Sequence, residues 1–325
     1  MTVNLKIEIK SIFKQFKKKH FLVIGDIMLD KYITGNVDRI SPEAPVPIVR
    51  ITDKFWRVGG AANVAKNIIS LGAKSTLIGV VGDDISGQEL ISTLGKSKSI
   101  NPKVIIDKKR KTTVKCRVLS QDQQLLRYDE EDKVNLSNKI LEMVKKEIKN
   151  IKHAIDGIII QDYGKGLISE NLLSWIKQFS LKKSIHIYID PKKDLYKSYS
   201  ESRLFKPNKN EFNHFTGEDL DFKSSVIEFA KKNDFQILLV TLGKKGMSLF
   251  FDNQFINFPA IVKRVHDVSG AGDTVISVFA LFDSLGLSPK TSALFSNIAA
   301  SLVCEEVGVI PVRLSSLEKK IKEIL

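Results

Sequence analysis

The chain has 325 residues, of which 43% are hydrophobic and 27% are charged. This composition allows a sizeable buried core and excludes a collagen-like protein, a long coiled coil and wholesale disorder. Lysine and arginine number 51 against 37 acidic residues, which gives a formal net charge of +14. Because the basic residues are spread along the chain and aromatic residues do not interleave with them, we expect no nucleic acid as a partner.

Cysteine usage and hydropathy indicate where the protein works. Cys116 and Cys304 form neither a disulfide framework nor a metal-binding CxxC pair, so we expect a reducing, cytoplasmic location. Apolar runs fall short of the roughly 20 residues that a bilayer span needs. The N-terminus also carries no continuous apolar segment of the kind that directs secretion. We therefore expect no membrane partner.

The chain begins with a predicted amphipathic helix within residues 1–19, because apolar residues recur there at helical spacing. The residues on its apolar side are Leu5, Ile9, Ile12, Phe13 and Phe16. The apolar run at 21–25 then predicts a buried strand, which begins the main sheet.

From residue 59 onward, helical segments alternate with strand-like segments, a pattern typical of β-α-β units and a mostly parallel sheet. We therefore predict one α/β domain over residues 1–325. The predicted elements are helix 61–70, strand 75–81, helix 84–94, helix 137–151, strand 157–161, helix 170–180, strand 185–190, helix 222–232, strands 236–241 and 247–251, and helices 272–285 and 289–304.

Two segments interrupt this alternation. Residues 31–57 carry Pro42, Pro45 and Pro47 among alternating apolar residues, and prolines at that density exclude central strands and helices. Residues 112–129 contain two strand-like runs around a polar turn. We predict that the first segment is an edge ribbon and that the two segments pair as a small β lid.

The sharpest motif lies at residues 267–274, where Gly270, Ala271 and Gly272 precede Asp273 and an apolar, helix-compatible run. A helix start leaves backbone N–H groups free to bind an anion such as phosphate. A carboxylate in the first turn, next to that anion, is able to accept a proton from a hydroxyl nucleophile. The same residues also suit a tight turn in which Asp273 merely caps the helix, and the spacing leaves both alternatives open.

A second helix start rich in small residues contains Gly59, Gly60 and Asn63. Glycines let a ligand approach the backbone closely, and the Asn63 amide offers both a donor and an acceptor. Asp26 and Asp30 follow the first strand, at the end where α/β sheets bind ligands. Tight helix packing explains the glycines equally well, and one of two such acids is often only a turn former.

Two further motifs suit a nucleotide. Asn208 and Glu211 are spaced to share one helical face and to hold a hydrated Mg²⁺ ion, although a capping box predicts the same residues. A turn bounded by glycines runs from Thr241 through Gly243 to Gly246 and suits a nucleotide phosphate. A hairpin requires the same residue types, so this turn is weak evidence alone.

Taken together, these motifs resemble the ribokinase-like, or PfkB-type, family of sugar kinases over roughly residues 20–312. Within that family the chain is most similar to the heptose 7-phosphate kinases, in the form that consists of the kinase alone. The proline-rich stretch is the most discriminating segment, because general sugar kinases rarely carry it. The segments that carry the resemblance are 25–30, 39–47, 59–65, 123–127, 162–166 and 267–273.

The resemblance implies an α/β, ribokinase-like fold of three layers with a small β lid, and a homodimer formed through that lid. It implies phosphorylation of the anomeric hydroxyl of D-glycero-β-D-manno-heptose 7-phosphate, with ATP, Mg²⁺ and a monovalent cation such as K⁺ as cofactors. Two alternatives stay open at this point. One is a kinase for another sugar or sugar phosphate, such as ribose, fructose or a nucleoside, and the other is a non-catalytic sugar-binding relative.

The resemblance also assigns roles to individual residues. Asp273 is the implied general base, and the implied anion hole consists of Gly270, Ala271 and Gly272. The implied nucleotide-binding residues are Asn208, Lys209, Asn210, Glu211, Thr241, Gly243, Gly246 and Asn297. The implied metal-binding residues are Glu211 and Asp267, the latter for the monovalent cation. The implied sugar-binding residues are Asp30, Gly59, Gly60 and Asn63. The basic candidates for binding the distal phosphate of the substrate are Arg117, Arg127, Lys165 and Lys192, of which we favour Arg127 and Lys192.

Overall fold

The structure is a computed structural model. It describes residues 2–325 except 97–98, 122, 218–220, 262–266 and 307. The side chains of residues 2–8, including Leu5, and of residues 193–194 are not described. The strands are β1 (His20–Gly25), β2 (Ile27–Ile40), β3 (Pro47–Gly60), β4 (Lys74–Gly82), β5 (Ile100–Asp107), β6 (Val114–Ser120), β7 (Gln123–Glu130), β8 (Gly157–Gln161), β9 (Ile187–Asp190), β10 (Leu204–Phe205), β11 (Ile237–Thr241), β12 (Met247–Phe251) and β13 (Gln254–Phe258). The α-helices are α1 (Thr2–Phe16), α2 (Ala61–Ser70), α3 (Ile85–Gly95), α4 (Asn138–Lys149), α5 (Glu170–Lys183), α6 (Lys209–Thr216), α7 (Phe222–Lys232), α8 (Ala271–Asp283), α9 (Pro289–Cys304) and α10 (Leu314–Ile324).

The main sheet has the strand order β13-β12-β11-β10-β9-β8-β1-β4-β5. Its strands run parallel from β11 to β5, whereas β12 and β13 are antiparallel additions at one edge. Because the parallel strands all end on one side of the sheet, the loops that follow β1, β8 and β9 meet there. These loops position the candidate site described below.

Helices cover both faces of the main sheet, which makes a three-layer α/β/α arrangement. Phe21 and Val23 of β1 pack into one core with residues of α1, α2, α3, α8, α9 and α10. Leu22 and Ile24 point the other way, into a second core with α4, α5, α6 and α7. All six residues of β1 are buried, as expected for a central strand whose alternate side chains face two helical layers.

A second sheet of four strands, the lid sheet, projects beyond the strand ends with the order β3-β2-β6-β7. It joins the two segments that interrupt the sequence pattern, because β2 pairs in parallel with β6. β3, which begins at Pro47, lies at the edge of this sheet, where a missing backbone N–H is tolerated. The expectation that the whole ribbon is an edge was wrong, since β2 lies between β3 and β6.

The observed elements differ from the prediction mainly by additions. The predicted strand 157–161 and the predicted helices 61–70, 222–232 and 289–304 match the structure at both ends. The sequence patterns did not predict β5, β10, β13, α6 or α10. Among the described residues, no helix combines the length and the apolar character that a membrane crossing would require.

Phe16 at the end of α1 tests how firmly this helix belongs to the core. Its ring is fully buried and packs edge-on against Phe13 and Phe282, with centroids 5.5 and 5.1 Å away. We predict that Phe16→Ala lowers the free energy of unfolding by about 3–5 kcal/mol, because it leaves a cavity in a packed aromatic cluster. Urea unfolding measures this change, with Leu181→Ala at a site 72% exposed as the control. A loss no larger than that of the control would show that α1 does not pack as a core helix.

Candidate active site

A cavity of about 780 Å³ lies at the carboxyl ends of the parallel strands. Its walls come from the residues after β8 and β9, the start of α6, the turn between β11 and β12, and the helices α8 and α9. Asp273 in the first turn of α8 lies at one end of the cavity, and Asn297 of α9 also lines it. The fold therefore brings the predicted base and a residue of the predicted nucleotide-binding set into one space.

The start of α8 has the geometry of an anion-binding helix terminus. Gly270 is the residue before the helix and adopts a left-handed conformation, with φ of 81°. A Cβ atom at Gly270 would lie 2.8 Å from Asn63 Nδ2, and one at Gly272 would lie 3.4 Å from Lys206 Nζ. Glycine at position 270 therefore lets the turn approach Asn63 closely, whereas a side chain at position 272 would make ordinary contact with Lys206. The backbone N–H groups and the dipole of the helix start favour a negatively charged group here.

Asp273 is buried and receives hydrogen bonds from three side chains. Asn63 Nδ2 donates to Oδ2 at 2.7 Å, while Tyr163 Oη and Gln161 Nε2 donate to Oδ1 at 2.9 and 3.2 Å. Burial raises the pKa of the carboxyl to about 7, although the hydrogen bonds from Asn63 and Tyr163 oppose that rise. These contacts show a carboxylate held by other elements of the fold, whereas the capping alternative would have it bonded to the amides of its own helix.

Gln161, at the end of β8, connects two carboxylates. Its Nε2 donates to Asp190 Oδ2 at 2.9 Å as well as to Asp273 Oδ1. Both N–H donors of the Gln161 amide are therefore engaged in hydrogen bonds. The amide oxygen Oε1 is buried and has no hydrogen-bond partner among the described residues, and the same holds for Oδ1 of Asn63. Buried acceptors of this kind are costly unless a donor reaches them, and a sugar hydroxyl is such a donor.

Asp26 is the turn former of the two acids that follow β1. Its carboxylate accepts hydrogen bonds from the backbone N–H groups of Tyr163, Lys165 and Leu167, at 2.9, 3.0 and 3.4 Å. This carboxylate therefore fixes the loop after β8, and with it the position of the Tyr163 side chain. The sequence patterns assigned no role to Gln161 or Tyr163, although these residues lie at the end of a correctly predicted strand and just after it.

Asp30 lies on the lid sheet, where Arg117 Nη1 donates to its Oδ1 at 2.6 Å. Gly59 and Gly60, from the neighbouring strand β3, make room for this arrangement. A Cβ atom at Gly59 would lie 2.0 Å from Asp30 Oδ2, and one at Gly60 would lie 2.3 Å from the carbonyl oxygen of Asp26. The glycines are thus required by close packing of the protein itself, and neither they nor Asp30 line the main cavity.

The residues predicted to bind a nucleotide lie together in the cavity wall. Asn208 and Glu211 form a capping box at the start of α6, with reciprocal side chain to backbone hydrogen bonds of 2.9 Å. The capping alternative is therefore realised, and Lys192 Nζ also donates to Glu211 Oε1 at 3.0 Å. The predicted set that lines the cavity is Asn208, Lys209, Asn210, Glu211, Thr241, Gly243, Gly246 and Asn297.

The four basic candidates for a substrate phosphate already have carboxylate partners. Arg117 pairs with Asp30, Arg127 with Asp129 at 2.6 Å, and Lys165 with Glu131 at 2.6 Å. Lys192 pairs with Glu211 in the wall of the main cavity, so the structure places it beside the predicted nucleotide residues. Binding of the distal phosphate by Lys192 stays a prediction.

Asp267, the predicted residue for a monovalent cation, has both oxygens in backbone contacts. Oδ1 accepts from the N–H of Ser269 at 2.8 Å, and Oδ2 accepts from the N–H of Gly308 at 3.0 Å. Within the described part of the chain, no group of three or more His, Cys, Asp and Glu side chains is arranged to hold a metal ion. Metal binding by Asp267 and Glu211 stays a prediction.

Comparison with known proteins finds relatives over most of the chain. The profile of the pfkB family of carbohydrate kinases matches residues 18–315. The bifunctional protein HldE of Sulfurimonas denitrificans is 37% identical over 312 residues, an alignment that covers 95% of this chain and 65% of that relative. This chain therefore spans less than two thirds of the length of that curated relative.

Solved structures resemble the fold as well. Phosphofructokinase-2 from Escherichia coli, in complex with potassium, has a TM-score of 0.79 and 19% identity, with 94% of this chain and 98% of that chain covered. Ribokinase from Arabidopsis thaliana, complexed with ribose and ATP, has a TM-score of 0.68 and 20% identity, with 94% and 98% covered. The predicted ribokinase-like α/β fold is confirmed.

The raised pKa of Asp273 predicts how stability varies with pH. Folding favours the protonated form, so the contribution of Asp273 to the unfolding free energy of the wild type falls as pH rises from the ordinary value of 3.8 through about 7, and changes no further above it. Asp273→Asn does not ionise, and we expect its stability relative to the wild type to rise by up to about 1.4 kcal/mol per pH unit over this range. Urea unfolding at several pH values measures the difference. A difference that is constant with pH would contradict the raised pKa.

Proposed function

The chain belongs to the pfkB family of carbohydrate kinases, and on that premise we propose that it transfers the γ-phosphoryl group of ATP to a hydroxyl of a sugar phosphate. One observation carries the proposal. The Asp273 carboxyl, with a pKa of about 7, lies in the first turn of α8 where the helix terminus favours an anion. A general base and a phosphoryl-binding site are thereby adjacent, which is what this reaction needs.

The proposed chemistry follows from these positions. The hydroxyl oxygen of the sugar forms a bond to the γ-phosphorus of ATP, and Asp273 accepts the proton that this hydroxyl loses. The bond between that phosphorus and the oxygen bridging to the β-phosphate breaks, and ADP leaves. The N–H groups of Gly270 and Gly272 face the oxygens of the transferring group and stabilise the charge that develops there, whereas the N–H of Ala271 already donates to the carbonyl oxygen of Val268 at 3.3 Å. The buried ammonium of Lys206, which pairs with Asp190 at 2.9 Å, adds positive charge beside Gly272.

Mg²⁺ is a proposed cofactor, and the residues at the start of α6 fit a hydrated ion. Mg²⁺ prefers one or two carboxylates together with waters and substrate phosphates. Each Glu211 oxygen makes one hydrogen bond, to Lys192 or to the N–H of Asn208, so each keeps capacity for a water of the ion. When bound, the ion would neutralise charge on the phosphates of ATP. The proposed K⁺ site at Asp267 rests on the sequence resemblance alone.

Removal of the basic group at Asp273 tests the proposed kinase activity. We expect Asp273→Asn to lower kcat by about 10²- to 10⁴-fold, because the amide keeps the shape of the side chain but cannot take the proton. Coupled detection of ADP release measures the rate. The control is Asp252→Asn, in the turn between β12 and β13, which should retain the wild-type rate. A loss of less than about threefold in a folded Asp273→Asn protein would show that Asp273 is not the base.

We propose that the substrate is D-glycero-β-D-manno-heptose 7-phosphate, phosphorylated at the anomeric hydroxyl to the 1,7-bisphosphate. The sequence resemblance to heptose 7-phosphate kinases supports this choice, since it includes the proline-rich ribbon as well as the glycine motifs. The name of the relative from Sulfurimonas denitrificans describes a bifunctional protein, and its second activity is not proposed for this chain. A kinase for ribose, fructose or a nucleoside is the alternative.

The proposal extends to a homodimer formed through the lid sheet. Trp56, Leu126 and Tyr128 lie on the same face of that sheet by register, and they are 43%, 57% and 44% exposed. Large apolar side chains that are exposed together on a sheet face are typical of an interaction surface. A second copy of the chain, pairing face to face, would cover them.

A substrate panel tests the heptose assignment. We expect kcat/KM for heptose 7-phosphate to exceed that for free heptose and for ribose by at least about 10²-fold, because a site built for a charged group rejects analogues that lack it. ADP release with each sugar at a fixed ATP concentration measures the ratio. Comparable efficiency with ribose, fructose or an unphosphorylated nucleoside would reject the heptose assignment and leave the kinase assignment intact.

A further inference from the structure

One face of the lid sheet is rich in charged side chains. Residues in register on neighbouring strands share a face, and so do residues two apart on one strand. β2 and β6 place Asp30 beside Lys115, and β6 and β7 place Lys115 beside Asp129. We call this surface the site face, and its members are Asp30, Tyr32, Phe55, Arg57, Lys115, Arg117, Arg127 and Asp129.

Two arginines of the site face are already neutralised by carboxylates, whereas Arg57 stacks over Tyr32 and Phe55 and donates to the carbonyl oxygen of Val309. Arg117 Nη1 donates to Asp30 at 2.6 Å, and Arg127 donates to both oxygens of Asp129 at 2.8 and 2.6 Å. Each charge-assisted pair uses most of the charge of both partners. A ligand that bound to either arginine would have to compete with an existing carboxylate.

Lys115 is different. Its Nζ lies 4.9 Å from the centre of the Tyr163 ring, and in the described part of the chain it has neither a hydrogen-bond acceptor nor an ion-pair partner. The side chain is only partly exposed, and burial lowers the pKa of its ammonium group, an effect that the carboxylates of Asp30 and Asp129 oppose and the cations of Arg127 and Lys165 reinforce. The two carboxylates beside it in register, Asp30 and Asp129, are already paired with arginines, so this partly buried cation has no carboxylate of its own, which is electrostatically unfavourable.

The contact with Tyr163 relates Lys115 to the reacting group. The hydroxyl of Tyr163 donates to Asp273 Oδ1 at 2.9 Å, while the ring of the same residue lies under Lys115. Lys115 and Asp273 are thus separated by a single tyrosine side chain. A sugar whose reacting hydroxyl lies at Asp273 and whose body lies along this tyrosine would bring its far end to Lys115.

We propose that Lys115 is the specificity-determining residue that binds the phosphate at the far end of the substrate, opposite the hydroxyl that reacts. This inference rests on the proposed function, because it names the residue that distinguishes a phosphosugar from a free sugar. The phosphate supplies the anion that Lys115 lacks within the protein. The arginine pairs with Asp30 and Asp129 then hold the strands on either side in register and do not bind the phosphate themselves.

Substitution of Lys115 tests this assignment by its effect on specificity. We expect Lys115→Met to lower kcat/KM for heptose 7-phosphate by about 10²-fold or more and to change kcat/KM for free heptose by less than about threefold. Lys115→Arg should recover part of the loss, because it restores a cation. The matched control is Lys54→Met, an exposed position of β3, where both values should stay at the wild-type level.

The pH profile separates phosphate binding from a merely structural role. If Lys115 only positioned Tyr163, loss of Lys115 would disturb Asp273. The pH dependence of kcat with free heptose would then shift, and the rates with free heptose and with heptose 7-phosphate would both fall. An equal loss for both sugars, or a shifted profile, would overturn the proposal. A profile unchanged with free heptose, together with a loss confined to the phosphorylated sugar, would support it.

A binding measurement distinguishes failure of this inference from failure of the proposed kinase. Calorimetric titration without ATP compares heptose 7-phosphate with free heptose, using the wild type and Lys115→Met. A preference for the phosphorylated sugar that disappears in the variant supports the inference, even if no phosphoryl transfer is found. A preference that persists in the variant, or a wild type with no preference, overturns it.

Discussion

A buried carboxylate that must lose its proton near neutral pH to act as the proposed base is the constraint around which the candidate site is organised. Burial alone would keep Asp273 protonated, and the hydrogen bonds from Asn63, Gln161 and Tyr163 limit that effect. The three donors come from α2, the end of β8 and the loop after β8. The position of the proposed base therefore depends on how α2 and the end of β8 with its following loop pack against α8, three regions distant in sequence.

Each donor is placed by a separate local device. Gly60, with φ of 61°, starts α2 at a backbone conformation that most residues avoid, and so places Asn63. The parallel pairing of β8 with β1 places Gln161 beside Gly25. The Asp26 carboxylate fixes the loop that carries Tyr163. A substitution at Gly60 or Asp26 would thus displace a hydrogen-bond donor to Asp273, although neither residue contacts a substrate.

The fold was largely predictable because its main signals are local. Helical spacing, buried apolar runs and glycines at helix starts are visible in short windows, so the central strands and the helices around them were found. β5 was missed because it lies at the edge of the main sheet, contains Pro102 and has a mostly half-exposed pattern, which weakens its hydrophobic signal. The Arg127–Asp129 pair lies within one strand and could have been read from the sequence, whereas the Arg117–Asp30 pair joins strands far apart in the chain.

The site was predictable to the same extent. Glycines before Asp273 indicate a helix terminus and a base within a few residues, and those residues do lie together. Gln161, Tyr163 and Lys115 gave no comparable signal, because their importance depends on what faces them from other elements. A lysine in a strand looks the same in sequence whether or not a carboxylate lies opposite.

The parallel pairing of β2 with β6 has a mechanical consequence. Between these strands the chain passes through α2, β4, α3 and β5 of the main body, so the lid sheet is not a contiguous hairpin. It is tethered by four chain crossings, at the start of β2, the end of β3, the start of β6 and the end of β7. A lid joined to the body at a single hinge can swing and twist. A sheet joined to the body by four chain crossings at one end is restricted to rotation about that end. Any such rotation would carry Asp30 and Lys115 toward or away from the strand ends together.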